Sequence, residues 1–143
     1  MPTEMIGQAL TLARTAMQRC YVPYSGFSMG ATVVTDKGEL WPVALVENVS
    51  LGLAMCAERI ALFATVAQDA GRPVLLALVS RRTAGRLTFP CGACLQVALE
   101  LGGPDMQVVA CDLQGVMETF TLRQLAPQLP CKNQSALAPT LAV

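Results

Sequence analysis

The run "PVLLALVS" at positions 73–80 constrains this chain more than any other segment. It is strand-length, continuously apolar and free of charge, so it reads as a strand buried on both faces. Such a strand has to be covered from two sides. "MQVVACD" at 106–112 reads as another buried strand. The segments around these runs supply the cover. In 3–19, Ile6, Leu10, Ala13 and Met17 recur at helical spacing, with Thr3 as a candidate N-cap. From Cys56 to about Ala70 the pattern predicts a helix with an apolar stripe of Ile60, Phe63, Ala64 and Ala67, closed by Gly71. "CGACLQVALELGG" turns helical and stops at Gly102 and Gly103.

The remaining segments complete a layered order. "MGATVVTDKGELWPVALV" predicts two strands joined in a hairpin at Thr35-Asp36-Lys37-Gly38, and Pro42 gives the second an edge or irregular portion. "VMETFTL" after Gly115 predicts a last strand, and "TLRQLAPQLP" a short helix or turn. "YVPYSGFS", "ENVSLGLAM" and "RRTAGRLTFP" are connecting loops. The order αββαβαβ(β)α predicts an α/β domain with helices covering a central sheet.

A chain of 143 residues fits one domain, placed at 1–131. Residues 132–143 lack periodicity and read as a loosely ordered tail. Only 14% of residues are charged and mean hydropathy is +0.48, which predicts that part of the surface is covered in an oligomer. Ten basic residues balance ten acidic ones, so no net field draws a polyanion. That argues against long nucleic acids and anionic membranes as partners and favours small molecules. No run reaches the roughly 18 apolar residues of a membrane span. "MPTEMIGQALTLARTAMQRC" shows no cleavable signal pattern, so a cytoplasmic location is expected.

Six cysteines stand at 20, 56, 91, 94, 111 and 131, and there is no histidine. A disulfide framework needs a secreted context that nothing here supplies. Cys20, Cys111 and Cys131 read as apolar filler. Cys56, Cys91 and Cys94 begin predicted helices, where thiol pKa values fall. In "PCGAC" the Cys-x-x-Cys turn brings two sulfurs to one side, so that both can reach one ion. A third thiolate from Cys56 leaves a fourth position for a cysteine, a carboxylate or water. Glu58, two places after Cys56, can sit beside an open position without binding the metal. There it can take a proton from a zinc-activated water and deliver it to a substrate nitrogen.

The sequence follows the pattern [His/Cys]-x-Glu … Pro-Cys-x-x-Cys of zinc deaminases. "PYSGFSMGA", "VENVSLG", "CAER" and "PCGACLQV" together resemble the small tetrameric cytidine deaminases that hold zinc with three cysteines, over about Tyr21 to Leu99. The resemblance implies a three-layer α/β/α fold with a central mixed sheet of about five strands, and a homotetramer or homodimer. It implies Cys56, Cys91 and Cys94 as zinc ligands and Glu58 as proton shuttle. Ala57 would bind the reacting group through its backbone, Phe27 would lie against the base, and Glu47 would bind a ribose hydroxyl. Arg59 would offset the negative charge of three thiolates.

The chain departs from that family at several positions. Leu45 replaces a ribose-binding asparagine, Leu51 an aromatic, and Leu95 an arginine near the thiolates. The C-terminal phenylalanine of the family has no counterpart in "LAPQLPCKNQ". Leu45 and Leu51 make the expected sugar and base region more apolar, which implies relaxed or shifted specificity. The expected substrates are cytidine, deoxycytidine, a modified cytidine, or another aminated heterocycle of the blasticidin or free-base type. Two competing functions are a non-catalytic zinc module, closed by Cys111 or Cys131, and a deaminase of bases within a nucleic acid. The second needs a basic track, for which "RRTAGR" is the one candidate.

Overall fold

A computed structural model describes residues 1–132. The apolar run at 73–80 forms β3 (Pro73–Ser80) at the centre of a five-stranded sheet. On one side it pairs antiparallel with β1 (Met29–Thr35), on the other parallel with β4 (Gln107–Cys111). The edges are β2 (Leu40–Ala44) and β5 (Met117–Thr121), which makes the mixed order β2-β1-β3-β4-β5. Pro42 stands on the edge strand opposite Thr32, where a missing N–H leaves no inner strand unpaired.

Neighbouring residues of a strand face opposite ways, and here each face has its own helical layer. Helix α1 (Thr3–Met17) covers Val34, Leu75, Ala77 and Val109 through Ala9, and Val79 and Cys111 through Ala13. Helices α2 (Ala57–Ala67) and α3 (Gly92–Gly102) cover the other face, packing on Ala31, Val33, Leu76, Leu78, Val108 and Ala110. Each fully buried leucine or valine in these layers contributes about 1.5–3 kcal/mol. The architecture is therefore α/β in three layers. Gly30 allows α1 its close approach, since a Cβ there runs into the backbone of Ala13 and Met17. The short α4 (Leu122–Leu125) starts at a capping box in which Thr121 and Gln124 bond reciprocally.

The structure corrects three sequence expectations. Thr3 is the first helical residue of α1, and Pro2 takes the N-cap position with no side-chain hydrogen bond. Helix α2 stops at Ala67, before Gly71, and Asp69 adopts the left-handed turn (φ 51°). Gly71 (φ 103°) lies in the loop beyond, against Asp36, whose Oδ1 accepts the N–H of Arg72.

The third correction is the buried face of α2. Ala57, Glu58, Ala61, Leu62 and Thr65 point inward, while Phe63 and Val66 are 46% and 60% exposed and Ala67 lies outward. A helix that is apolar nearly all round presents two equally apolar stripes, so periodicity does not choose between them. The tail expected over 132–143 lies, beyond Lys132, outside the described residues.

Candidate active site

The three layers leave the beginnings of α2 and α3 side by side at one end of the sheet. Cys56 is the N-cap of α2 and Cys91 the N-cap of α3, and neither sulfur caps its own helix. Cys94 lies in the first turn of α3 and is fully buried. All three sulfurs lie within 4.8 Å of one another, and those of Cys91 and Cys94 are 3.6 Å apart. Tetrahedral zinc with bonds of about 2.3 Å to sulfur needs sulfurs about 3.8 Å apart, so the cluster fits the ion. Among the described residues no further Cys, Asp or Glu belongs to the group. Cys111 contacts Arg14 and the Asp112 carbonyl instead, and Cys131 packs against the core. Neither of the two sulfurs expected to close a non-catalytic zinc module joins the cluster.

The surrounding charge suits thiolates. Cys56 is pushed down to about 5, first by the hydrogen bond from the Cys94 thiol and then by Arg59, whose Nη2 lies 3.7 Å from its sulfur. The same contact, with burial, pushes Cys94 up. One proton is thus held within the pair, and a divalent cation bound by the three sulfurs would displace it.

Glu58 occupies the first turn of α2, only 1% exposed, among core residues. Its Oε2 has no hydrogen-bond partner, and an unpartnered buried oxygen costs about 1–3 kcal/mol, more when charged. Burial, and then the Cys56 thiolate, raise its pKa to about 7. A carboxyl so placed is ready to exchange a proton near neutral pH, and nothing in its packing needs that exchange. Ala57, fully buried, precedes it, and its backbone N–H is one of the first-turn donors with no partner within the helix.

The other expected site residues lie along the same end of the sheet. Phe27 and Leu45 are partly buried and pack against the cluster that contains Ala57 and Ala61. The backbone N–H of Leu45 donates to Met29 O, which seats it where β2 leaves β1. Glu47 accepts the N–H groups of Tyr24 (3.1 Å) and Ser25 (3.2 Å) on Oε1. These contacts, with the Ser25 hydroxyl foremost, hold its carboxyl below the ordinary range. Glu47 therefore ties its own loop to Tyr24 and Ser25 of the loop before β1. Leu51 is 82% exposed, so it does not pack into the base region of its own chain. Leu95 packs against the core.

Sequence reasoning placed Arg81 only in the basic loop "RRTAGR" and missed its meeting with Phe27. Its guanidinium lies 5.1 Å from the centre of the Phe27 ring. The available signal was its position, directly after the carboxyl end of a doubly buried strand, where open α/β sheets bind ligands.

Comparison with known proteins agrees with this architecture. Residues 3–111 match the family model of the cytidine and deoxycytidylate deaminase zinc-binding region. A cytidine deaminase of Halalkalibacterium halodurans is 39% identical over 112 residues, 78% of this chain and 83% of that one. One from Mycobacterium tuberculosis is 41% identical over 96 residues, 67% of this chain and 71% of its own. The crystal structure of cytidine deaminase from Burkholderia pseudomallei superposes with a TM-score of 0.80 at 37% identity, covering 91% of this chain and all of that one. With three sulfurs spaced for zinc and a buried carboxyl beside them, this chain belongs to the cytidine deaminase family of zinc-dependent hydrolytic enzymes.

Proposed function

We propose that this chain hydrolyses the exocyclic amine of cytidine or deoxycytidine, giving the uridine product and ammonia, with specificity relaxed toward modified cytidines. The observation that carries this reading is the unpartnered, buried Oε2 of Glu58 beside the cysteine cluster. Cys56, Cys91 and Cys94 would hold the ion. Zinc bound there supplies the Lewis acidity that makes a water nucleophilic at neutral pH.

Glu58 takes a proton from the attacking water and passes it to the ring nitrogen beside the reacting carbon. It later delivers a proton to the departing amine, so that water and substrate become uridine and ammonia. The Ala57 N–H helps orient the reacting group. Phe27 lies against the base, the Glu47 carboxylate meets a ribose hydroxyl, and Leu45 offers that sugar only apolar contact. Arg59 offsets the thiolate charge through Cys56.

Glu58→Gln tests the assignment. It should abolish turnover and leave zinc content unchanged, and appreciable residual activity would sink it. Comparable kcat/KM for cytidine, deoxycytidine and cytosine supports relaxed specificity, whereas a strict ribonucleoside preference counts against it.

Residues 1–131 form the deaminase domain in this reading, and the working unit is a homotetramer. The outward stripe of α2 supports an assembly. Phe63 and Val66 line an apolar groove with Val97 and Leu101 of α3, and Val49, Leu51 and Leu53 stand exposed nearby in sequence. A cytoplasmic enzyme of nucleoside salvage fits the substrate. Among the described residues no helix is long and apolar enough to cross a membrane.

A further inference from the structure

Arg81 and Arg82 are adjacent in sequence, yet their side chains part. Arg82 donates through Nε to Asp112 Oδ2 at 2.8 Å and through Nη1 to Gly85 O at 3.1 Å. Arg81 turns to the other side and lies over Phe27, and no carboxylate among the described residues pairs with it. The register explains the meeting. Met29 pairs with Ser80, so the residues just before β1 and just after β3 share one end of the sheet. It is the same end at which the β3–α3 loop delivers Cys91 to its helix.

Among the described residues, that end gathers several negative groups, and two of its arginines are committed to them. Arg59 is engaged with Cys56, and Arg82 with Asp112. The contacts available to a sugar there are few. Leu45 is apolar, and Glu47 commits Oε1 to the Tyr24 and Ser25 N–H groups. Arg81 is exposed, and a guanidinium laid on an aromatic face keeps its edge N–H donors outward. Those paired donors match the two oxygens of a carboxylate or phosphate.

We propose that Arg81 is a specificity-determining residue that receives a negatively charged oxygen group on the ligand, a phosphate monoester or a carboxylate, carried beside the aminopyrimidine ring. This rests on the reading above that places Phe27 against the base. Ligands bearing such a group gain a charge-assisted contact that neutral nucleosides lack.

The test compares zinc-loaded wild type with Arg81→Gln and Arg86→Gln on cytidine, cytidine 5′-monophosphate and cytidine 5′-carboxylic acid at low salt. Wild type should favour at least one anionic substrate over cytidine about tenfold in kcat/KM, and 0.5 M salt should erode the preference. Arg81→Gln should collapse that ratio about tenfold. Arg86→Gln, in the same loop but on the cleft beside Arg82 and Glu118, should leave the ratio alone. The two anionic substrates distinguish phosphate from carboxylate.

Calorimetric binding of uridine and uridine 5′-monophosphate gives a readout independent of turnover. If cytidine is not deaminated, the functional reading fails, while the binding ratio still decides the role of Arg81. Equal affinity for the two products in wild type overturns the proposal. So does an Arg81→Gln variant, folded and zinc-replete, that weakens charged and neutral ligands alike.

Discussion

Glu58→Gln should make the zinc-free protein more stable at alkaline pH while removing its chemistry. Glu58 is only 1% exposed, and its pKa is raised from 4.5 to about 7, by burial first and the Cys56 thiolate next. The folded state therefore binds the proton more tightly than the unfolded state. Stability contributed by the protonated carboxyl is fully present below about pH 4.5 and is lost as pH rises through about 7. At 1.36 kcal/mol for each pH unit between those values, wild type gives up about 3 kcal/mol by pH 8. Glutamine has nothing to ionise and avoids that loss. Its buried amide still lacks a partner, costing about 1–3 kcal/mol, so the net gain at pH 8 is at most about 2 kcal/mol. Urea denaturation of both proteins, with reductant and chelator, at pH 5 and pH 8 measures it. The variant should lead at pH 8, and the lead should shrink or reverse at pH 5. A difference that is the same at both pH values would refute the claim that burial of the ionised carboxylate costs stability.

Three further outcomes follow from the geometry. Cys56→Ala, Cys91→Ala or Cys94→Ala should each cut bound zinc from one per chain to substoichiometric levels by elemental analysis. Cys111→Ala and Cys131→Ala should retain it, because neither sulfur joins the cluster. Phe63→Glu combined with Val66→Glu should shift the proposed homotetramer to smaller species in light scattering, since both side chains point outward from α2. Gly30→Ala should destabilise by about 2 kcal/mol or more in urea denaturation, because its Cβ meets the backbone of α1, which cannot move aside as a side chain would.

Much of the site was legible because it is local. An N-terminal helix turn brings Cys91 and Cys94 together by itself, and Glu58 stands two places from Cys56 along one chain segment. The order of strands and helices was legible too, since a doubly apolar strand such as 73–80 permits few architectures. Glu47 shows where local reading thins. Its hydrogen bonds to Tyr24 and Ser25 cross more than twenty positions of sequence and exist only once the two loops are neighbours.

By itself the sequence determined the layered α/β order, the three thiol positions and the carboxyl beside them. These follow from periodicity and from spacings within a single turn. Tertiary structure alone decided that α2 buries Glu58 and Leu62 and shows Phe63 and Val66 to solvent, because a helix apolar all round takes its orientation from what it packs against. It likewise decided that Arg81 meets Phe27, because sheet register brings together residues that share no local pattern.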